Sequence, residues 1–316
     1  MSEPLTSQRA SEMLKEQLKC WPLAAKNYAD LAQAKIREFD MGGFLFRVQF
    51  NPSRMVSTGA KLDKASLEKR PCFLCPANLP AEQLRLPFGE HYQLLCNPFP
   101  IFPEHFTIPS LGHEPQLIRP RFRDLLRLAQ ALDQYTVFYN GPKCGASAPD
   151  HTHFQAGTRF RMPYDEELPS KLIPANLLTQ QKGCSLYLLH DYLRNGLIIV
   201  TADEAEAEEM FFRIYDSLPI QSGETEPMMN IFANYVEGRW VVTIIPRRLH
   251  RPWQYSAEGK DKFLSSPGAA DLGGLLITPR EEDFLKVSPE LIRDIFRQVC
   301  FTDEELSPIA RHFANS

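Results

Sequence analysis

Two histidines and a glutamine fall on alternate positions in the stretch PDHTHFQAG, residues 149–157. In an extended chain, side chains at i, i+2 and i+4 share a face. His151, His153 and Gln155 would then form one polar row, with Thr152, Phe154 and Ala156 facing the other way. The chain has only eight histidines in 316 residues, so the pairing asks for something to hold: a metal, an anion or a reacting group. Neutral imidazole, with an ordinary pKa near about 6.5, can attack phosphorus or a carbonyl carbon. Attack on a phosphoryl or nucleotidyl group gives a phosphoramidate that can wait for a second substrate, and its nonbridging oxygens need donors. The preceding run CGASAP, 144–149, offers small residues, closely spaced backbone N–H groups and the Ser147 hydroxyl. Gln155 can donate from its amide without supplying a proton, which a third histidine there would be able to do. A polar patch on an exposed strand is the plain alternative for the row taken alone.

Cys72 and Cys75 form a C-x2-C pair in RPCFLC, 70–75. The pair alone fits two buried small residues, a redox couple or half a metal site. A Cys2His2 tetrahedron would need two more ligands, which His151 and one of His105 or His113 could supply. His105 starts a predicted strand and is better fixed than His113, which follows Gly112 in a loop. With His151 on a metal, His153 is left for reaction chemistry. In the second half the strand IIP runs into Arg247, Arg248, His250 and Arg251, bases that suit a phosphate or sugar phosphate; a solvated basic turn is the bland alternative.

These residues need elements to position them. Apolar spacing over residues 6–37, including Leu14, Leu18, Leu31 and Ile36, predicts one or two helices. Residues 42–52 alternate and stop at Asn-Pro, as a strand does. Residues 91–102 and 105–110 are expected to form a strand, a Pro-rich turn and a second strand, with another strand at 136–141 and a helix over Arg121 to Gln134. The pattern then restarts: a hairpin within 185–203, a helix at 204–218, and a second hairpin at 228–246 turning at Glu237-Gly238. The expected architecture is α+β, with two similar halves of antiparallel sheet and packed helix, flanked by N- and C-terminal helices. The expected divisions are 1–40, helical; 41–170, carrying the motif; and 171–316, the second half.

The net charge of −4 and the scattered lysines and arginines give no footprint for nucleic acid. No run approaches the roughly 20 apolar residues of a membrane span, and the start has no apolar leader core. Seven cysteines, an odd number, fit a reducing compartment, so a cytoplasmic protein is expected. Prolines gather in 71–120 and 142–169, the composition of rigid irregular loops around a site.

The segment FYNGPKCGASAPDHTHFQ, 138–155, resembles the active-site segment of the histidine-triad superfamily, in its transferase branch. That branch holds galactose-1-phosphate uridylyltransferases, diadenosine tetraphosphate phosphorylases and GDP-hexose phosphorylases. The shared marks are Asn140, the loop Gly145-Ala146-Ser147, and His151-x-His153-x-Gln155. The resemblance implies two histidine-triad-like halves, His153 as nucleophile and Gln155 as stabiliser of a nucleotidylated intermediate. It implies Asn140, Gly145, Ala146 and Ser147 around the α-phosphate. The second half carries no mark of the family, and its bases Arg247 and Arg251 are expected, with Arg54, on other phosphates from their residue type alone. It also implies a structural Zn2+ held by Cys72, Cys75, His105 and His151. The chain departs from the pattern by one added residue, Asp150. The implied substrate is an NDP-sugar or dinucleoside polyphosphate, and the acceptor inorganic phosphate or a hexose 1-phosphate. Related enzymes often pair, so a homodimer is an expectation. A hydrolase of the same fold and a non-catalytic nucleotide-binding protein are the rivals.

Overall fold

The computed structural model describes residues 3–55, 70–171 and 177–315. The chain opens with two helices, α1 (Ser7–Cys20) and α2 (Pro22–Ala32). Thr6 caps the first by accepting the Arg9 N–H, and Pro22 starts the second at the position where a missing N–H costs nothing. Ile36, counted above in the helical spacing, lies instead in strand β1 (Ile36–Asp40), which pairs antiparallel with β2 (Leu45–Phe50).

The main element is a sheet of ten strands. Its first half holds β3 (Arg85–Phe88), β4 (Tyr92–Cys96), β5 (His105–Pro109), β6 (Tyr135–Asn140) and β7 (His153–Thr158), with helix α3 (Phe122–Ala131) between β5 and β6. After helix α4 (Pro163–Lys171), the second half holds β8 (Leu177–Gln181), β9 (Cys184–Leu189), β10 (Gly196–Thr201), β11 (Met229–Val236) and β12 (Arg239–Pro246). Helix α5 (Glu204–Ser217) lies between β10 and β11. The spatial order is β3-β4-β5-β7-β6-β11-β12-β10-β9-β8. From either edge inward it reads first, second, third, fifth, fourth. The two halves therefore repeat one topology and meet at the β6–β11 seam, where Asn140 pairs with Asn230.

Alternation along the strands separates two cores. Val137, Tyr139, Phe154, Ala156, Ile231 and Ala233 face one side, where α3 and α5 pack and the rings of Phe122 and Phe211 stack at 3.9 Å. Burying each such ring contributes roughly 1.5–3 kcal/mol over leaving it exposed. Phe138, Phe232, Ile198 and Ile245 face the other side. There β2 joins β13 (Leu275–Thr278) in a parallel pair, and the short helices α6 (Ala269–Leu272) and α7 (Glu281–Lys286) precede α8 (Pro289–Val299). Helix α9 (Asp303–Ala314) closes the chain under a Thr302–Glu305 capping box. Among the described residues, no helix is long and apolar enough to cross a membrane.

Candidate functional site

The parity that sends Phe154 and Ala156 into the first core turns His153 and Gln155 to the opposite face. Both line a cavity of about 680 Å³. His151 does not share the row: strand β7 begins at His153, and His151 sits in the turn before it, bonded through its N–H to the Ala148 carbonyl at 3.2 Å. His153 is 3% exposed. Its Nδ1 lies 2.8 Å from the His151 carbonyl, which can only accept, so the proton is on Nδ1 and the lone pair on Nε2. Burial pushes this imidazole down to about 4, keeping it neutral at ordinary pH. The fully buried Gln116 clamps the strand end: its Oε1 accepts the His153 N–H at 2.8 Å, and its Nε2 donates to the carbonyls of His153 and Asn140 at 2.9 and 3.0 Å. Nothing in the sequence around Gln116 marks it for this role.

Two side-chain amides border the same space, each with its oxygen anchored. Asn140 Oδ1 accepts from Asn230 Nδ2 and from the Ala269 N–H, both at 2.7 Å. Asn230 is held in that orientation because its own oxygen accepts from Arg247 at 2.7 Å. Gln155 Oε1 lies 2.9 Å from His105 Nε2. In both, the NH2 end is the one left to meet a ligand.

The loop between β6 and β7 approaches from above. Gly145 has φ +94°, and a Cβ on it would lie 2.4 Å from the Gly268 Cα. Ala146 and Ser147 follow it along the cavity wall. Gly145→Ala should therefore shift this loop on two counts, backbone strain and contact with another backbone. A displacement of about 1 Å costs roughly 10²-fold in a positioned reaction, so the single-turnover rate of whatever reaction this cavity carries should fall by about that much. An unchanged rate would mean that the loop does not touch the reacting group.

The arginines divide. Arg54 and Arg251 both line the cavity. Arg54 donates to the Phe99 carbonyl at 2.8 Å, and burial lowers it to about 10, against the raising effect of Asp271. Arg251 bonds Ser266 Oγ at 3.0 Å and lies over the Tyr255 ring at 3.9 Å. Arg247 corrects the sequence expectation. It is 2% exposed, and its Nε, Nη1 and Nη2 donate to Asn230 and to the carbonyls of Val299, Pro267, Leu249 and His250. Five donors meet five acceptors, so none is left for a phosphate; its part is to orient Asn230. Arg70 was not singled out as a site residue, yet it lines the cavity. Its guanidinium bonds Asp150 at 2.7 Å and the Ser147 carbonyl at 3.4 Å.

The cysteines gather as expected, with one change of partner. Cys72, Cys75, His113 and His151 place their ligand atoms within 4.8 Å of one another. Cys72 Sγ is 3.3 Å and Cys75 Sγ 3.6 Å from His151 Nδ1, and Cys75 Sγ is 3.3 Å from His113 Nδ1. His105 is not among them: its Nε2 is engaged by Gln155 and its Nδ1 by the Ile101 N–H. It sits on the cavity face of β5, whereas the loop histidine His113 reaches the sulfurs. A tetrahedral zinc with bonds of about 2.3 Å to sulfur and 2.0 Å to nitrogen would space its ligands roughly 3.3–3.8 Å apart, so the four residues fit such an ion. Their chemistry fits too. Burial raises Cys72, but the His151 hydrogen bond and the Leu74 and Cys75 N–H groups prevail and bring it down to about 6. Cys75 is raised, by burial and then by Cys72; two adjacent sulfurs carry two negative charges only with a cation between them. His151 Nε2 donates to the Ser110 carbonyl at 2.8 Å, leaving Nδ1 as the ligand atom. Asp150, the added residue, lies 3.9 Å from His113 Nε2 as well as on Arg70.

Comparison with known proteins adds the following. Residues 13–158 match a family model described as a domain of unknown function, DUF4922. No curated protein matches the sequence. Among solved structures, yeast Ap4A phosphorylase Apa2 matches with a TM-score of 0.55 at 17% identity, covering 92% of this chain and 97% of that one. The same yeast protein in complex with AMP gives 0.56 at 15%, covering 96% and 98%. Its complex with Ap4A gives 0.53 at 15%, covering 89% and 97%. At these identities the shared property is the fold alone, the long antiparallel sheet of two repeated halves with helices packed on it.

Proposed function

We propose that this chain transfers a nucleoside monophosphate from an NDP-sugar or a dinucleoside polyphosphate through a covalent bond to His153. The observation that carries the reading is a neutral, buried imidazole with its lone pair on Nε2, beside two amides whose oxygens are tied back, in one cavity. In the first step Nε2 bonds to the α-phosphorus and the bond to the departing phosphate oxygen breaks. The leaving group takes the electron pair. The Nδ1–H bond to the His151 carbonyl supports the positive charge that grows on the ring. Asn140, Gln155, Ser147 and the loop N–H groups meet the nonbridging oxygens, while Arg54, Arg70 and Arg251 suit the remaining phosphates. In the second step an oxygen of inorganic phosphate or of a hexose 1-phosphate bonds to phosphorus and releases His153. The match to a structure named as an Ap4A phosphorylase, and to its complexes with AMP and Ap4A, supports this class of substrate. Zn2+ would be held by Cys72, Cys75, His113 and His151, with all four positions filled by protein, and would be structural.

The test is intact-mass analysis of the protein mixed with a panel of NDP-sugars and dinucleoside polyphosphates, with no acceptor added. An acid-labile gain of one NMP is expected, removed by adding phosphate or a hexose 1-phosphate. Accumulation of free NMP without an adduct would point to hydrolysis. Binding with no turnover would point to a nucleotide-binding protein.

A further inference from the structure

We infer that His105 is a positioning residue: it holds the Gln155 amide with its oxygen toward the protein and its NH2 toward the bound phosphate. The inference rests on the nucleotidyl-transfer reading, because a charged phosphoryl oxygen at that place is what gives the amide's orientation a consequence.

A glutamine amide has two ends of nearly equal size and opposite polarity, so shape alone does not choose between them. The neighbour that engages one end decides what the other offers. A backbone N–H can only donate, so the Ile101 N–H, 3.3 Å from His105 Nδ1, makes that nitrogen the acceptor. Neutral imidazole has one proton, which must then lie on Nε2. At 2.9 Å, Nε2 donates and Gln155 Oε1 accepts. The ring is fixed in this state. It is fully buried, and burial first, then the Arg54 charge, push it down to about 3. Phe102 packs its edge against the ring and Phe138 its face. His105 stands opposite Gly157 in the β5–β7 ladder, where a Cβ would lie 2.3 Å from the Phe102 ring; the missing side chain admits the aromatic that braces the histidine. With its NH2 turned in, Gln155 donates to phosphoryl oxygens. Reversed, its carbonyl oxygen would repel them in a cavity where charges are weakly screened.

The experiment is single-turnover nucleotidylation by the full chain as wild type, His105→Phe, Gln155→Leu and the double variant, with dissociation constants of adenosine and uridine, which carry no phosphate, measured beside it. His105→Phe should slow adduct formation about 10–100-fold while leaving those constants within about twofold. Gln155→Leu should be at least as slow. The double variant should be no slower than Gln155→Leu alone, because His105 then has nothing to orient. His105→Gln, whose amide can accept from Ile101 and donate to Gln155, should recover most of the rate. Losses that multiply in the double variant, or a wild-type rate in His105→Phe, would overturn the inference. Nitrogen-15 histidine NMR of the wild type decides the case even if a variant fails to fold. His105 should show the Nε2–H tautomer throughout pH 6–8, and an Nδ1–H or charged ring would overturn it. That tautomer, in a protein that forms no adduct with any donor, would remove the nucleotidyl-transfer reading and leave the Gln155 orientation standing.

Discussion

His153→Ala should fold, bind nucleotide and form no covalent adduct, with turnover reduced on the order of 10⁴-fold or more. The size follows from the route. Without the imidazole there is no nucleophile on β7 to replace it: Phe154, Ala156 and Thr158 face away, the Thr158 hydroxyl engaged by the Glu104 backbone, and Gln155 is not nucleophilic. What survives is attack by water or acceptor on a phosphate still held by the amides and the loop. Stability should change little, because His153 borders the cavity, so water can fill the space that the ring leaves. The strand end remains clamped through its backbone by Gln116. The check is intact mass and single-turnover kinetics on the variant, with a thermal melt run beside them. An adduct of undiminished yield on His153→Ala would place the nucleophile elsewhere and sink the mechanism.

The second large effect concerns the sulfur cluster. Cys72→Ser, Cys75→Ser or His113→Ala should each take bound zinc from about one per chain to near zero, whereas His105→Phe should retain it. The melting temperature of the three ligand variants should fall by about 10 °C or more. The residues around the cluster show why. Among the described residues its apolar support is Cys72, Leu74, Ala148 and the edge of Cys75, a small core with which to hold segment 70–79 against the sheet. Free energy from a structural zinc is folding free energy, and a loss of several kcal/mol at about 2–4 °C each gives that shift. Metal analysis by mass spectrometry and a melt with and without chelator measure it. Zinc retained by His113→Ala but lost from His105→Phe would restore the ligand set implied by the resemblance and undo the geometry described above.

The parts of the site that the sequence disclosed share a property: each is local. His153, Gln155, Asn140 and the Gly145–Ser147 loop lie within 16 consecutive residues, and alternation in one strand is enough to aim two of them. The choice between His105 and His113 was not local. It depended on which face of β5 meets the cavity and on where a loop returns, both set by the pairing of β5 with β7. Arg247 misled for a related reason. A run of bases after a strand reads as surface, but this arginine turns inward and finds five acceptors, one of them an asparagine 17 residues earlier. Strands β3 and β8 escaped notice because they are short edges, one interrupted by Pro87 and the other largely polar, LLTQQ. The duplicated topology was legible because the periodicity changes from strand to helix and back twice in the same order.

The seam between β6 and β11 also bears on how the protein is made. During synthesis the N-terminal half emerges and folds first. That half carries His153, Gln155, the loop and all four sulfur-cluster residues, yet it lacks Asn230 and Ala269, which tie down the Asn140 oxygen. It also lacks the Arg251, Ser266 and Asp271 wall of the cavity. On the mechanism proposed above, a nascent chain therefore carries His153 without the completed setting that would let it react. Competence would arrive only when the later residues leave the ribosome and dock.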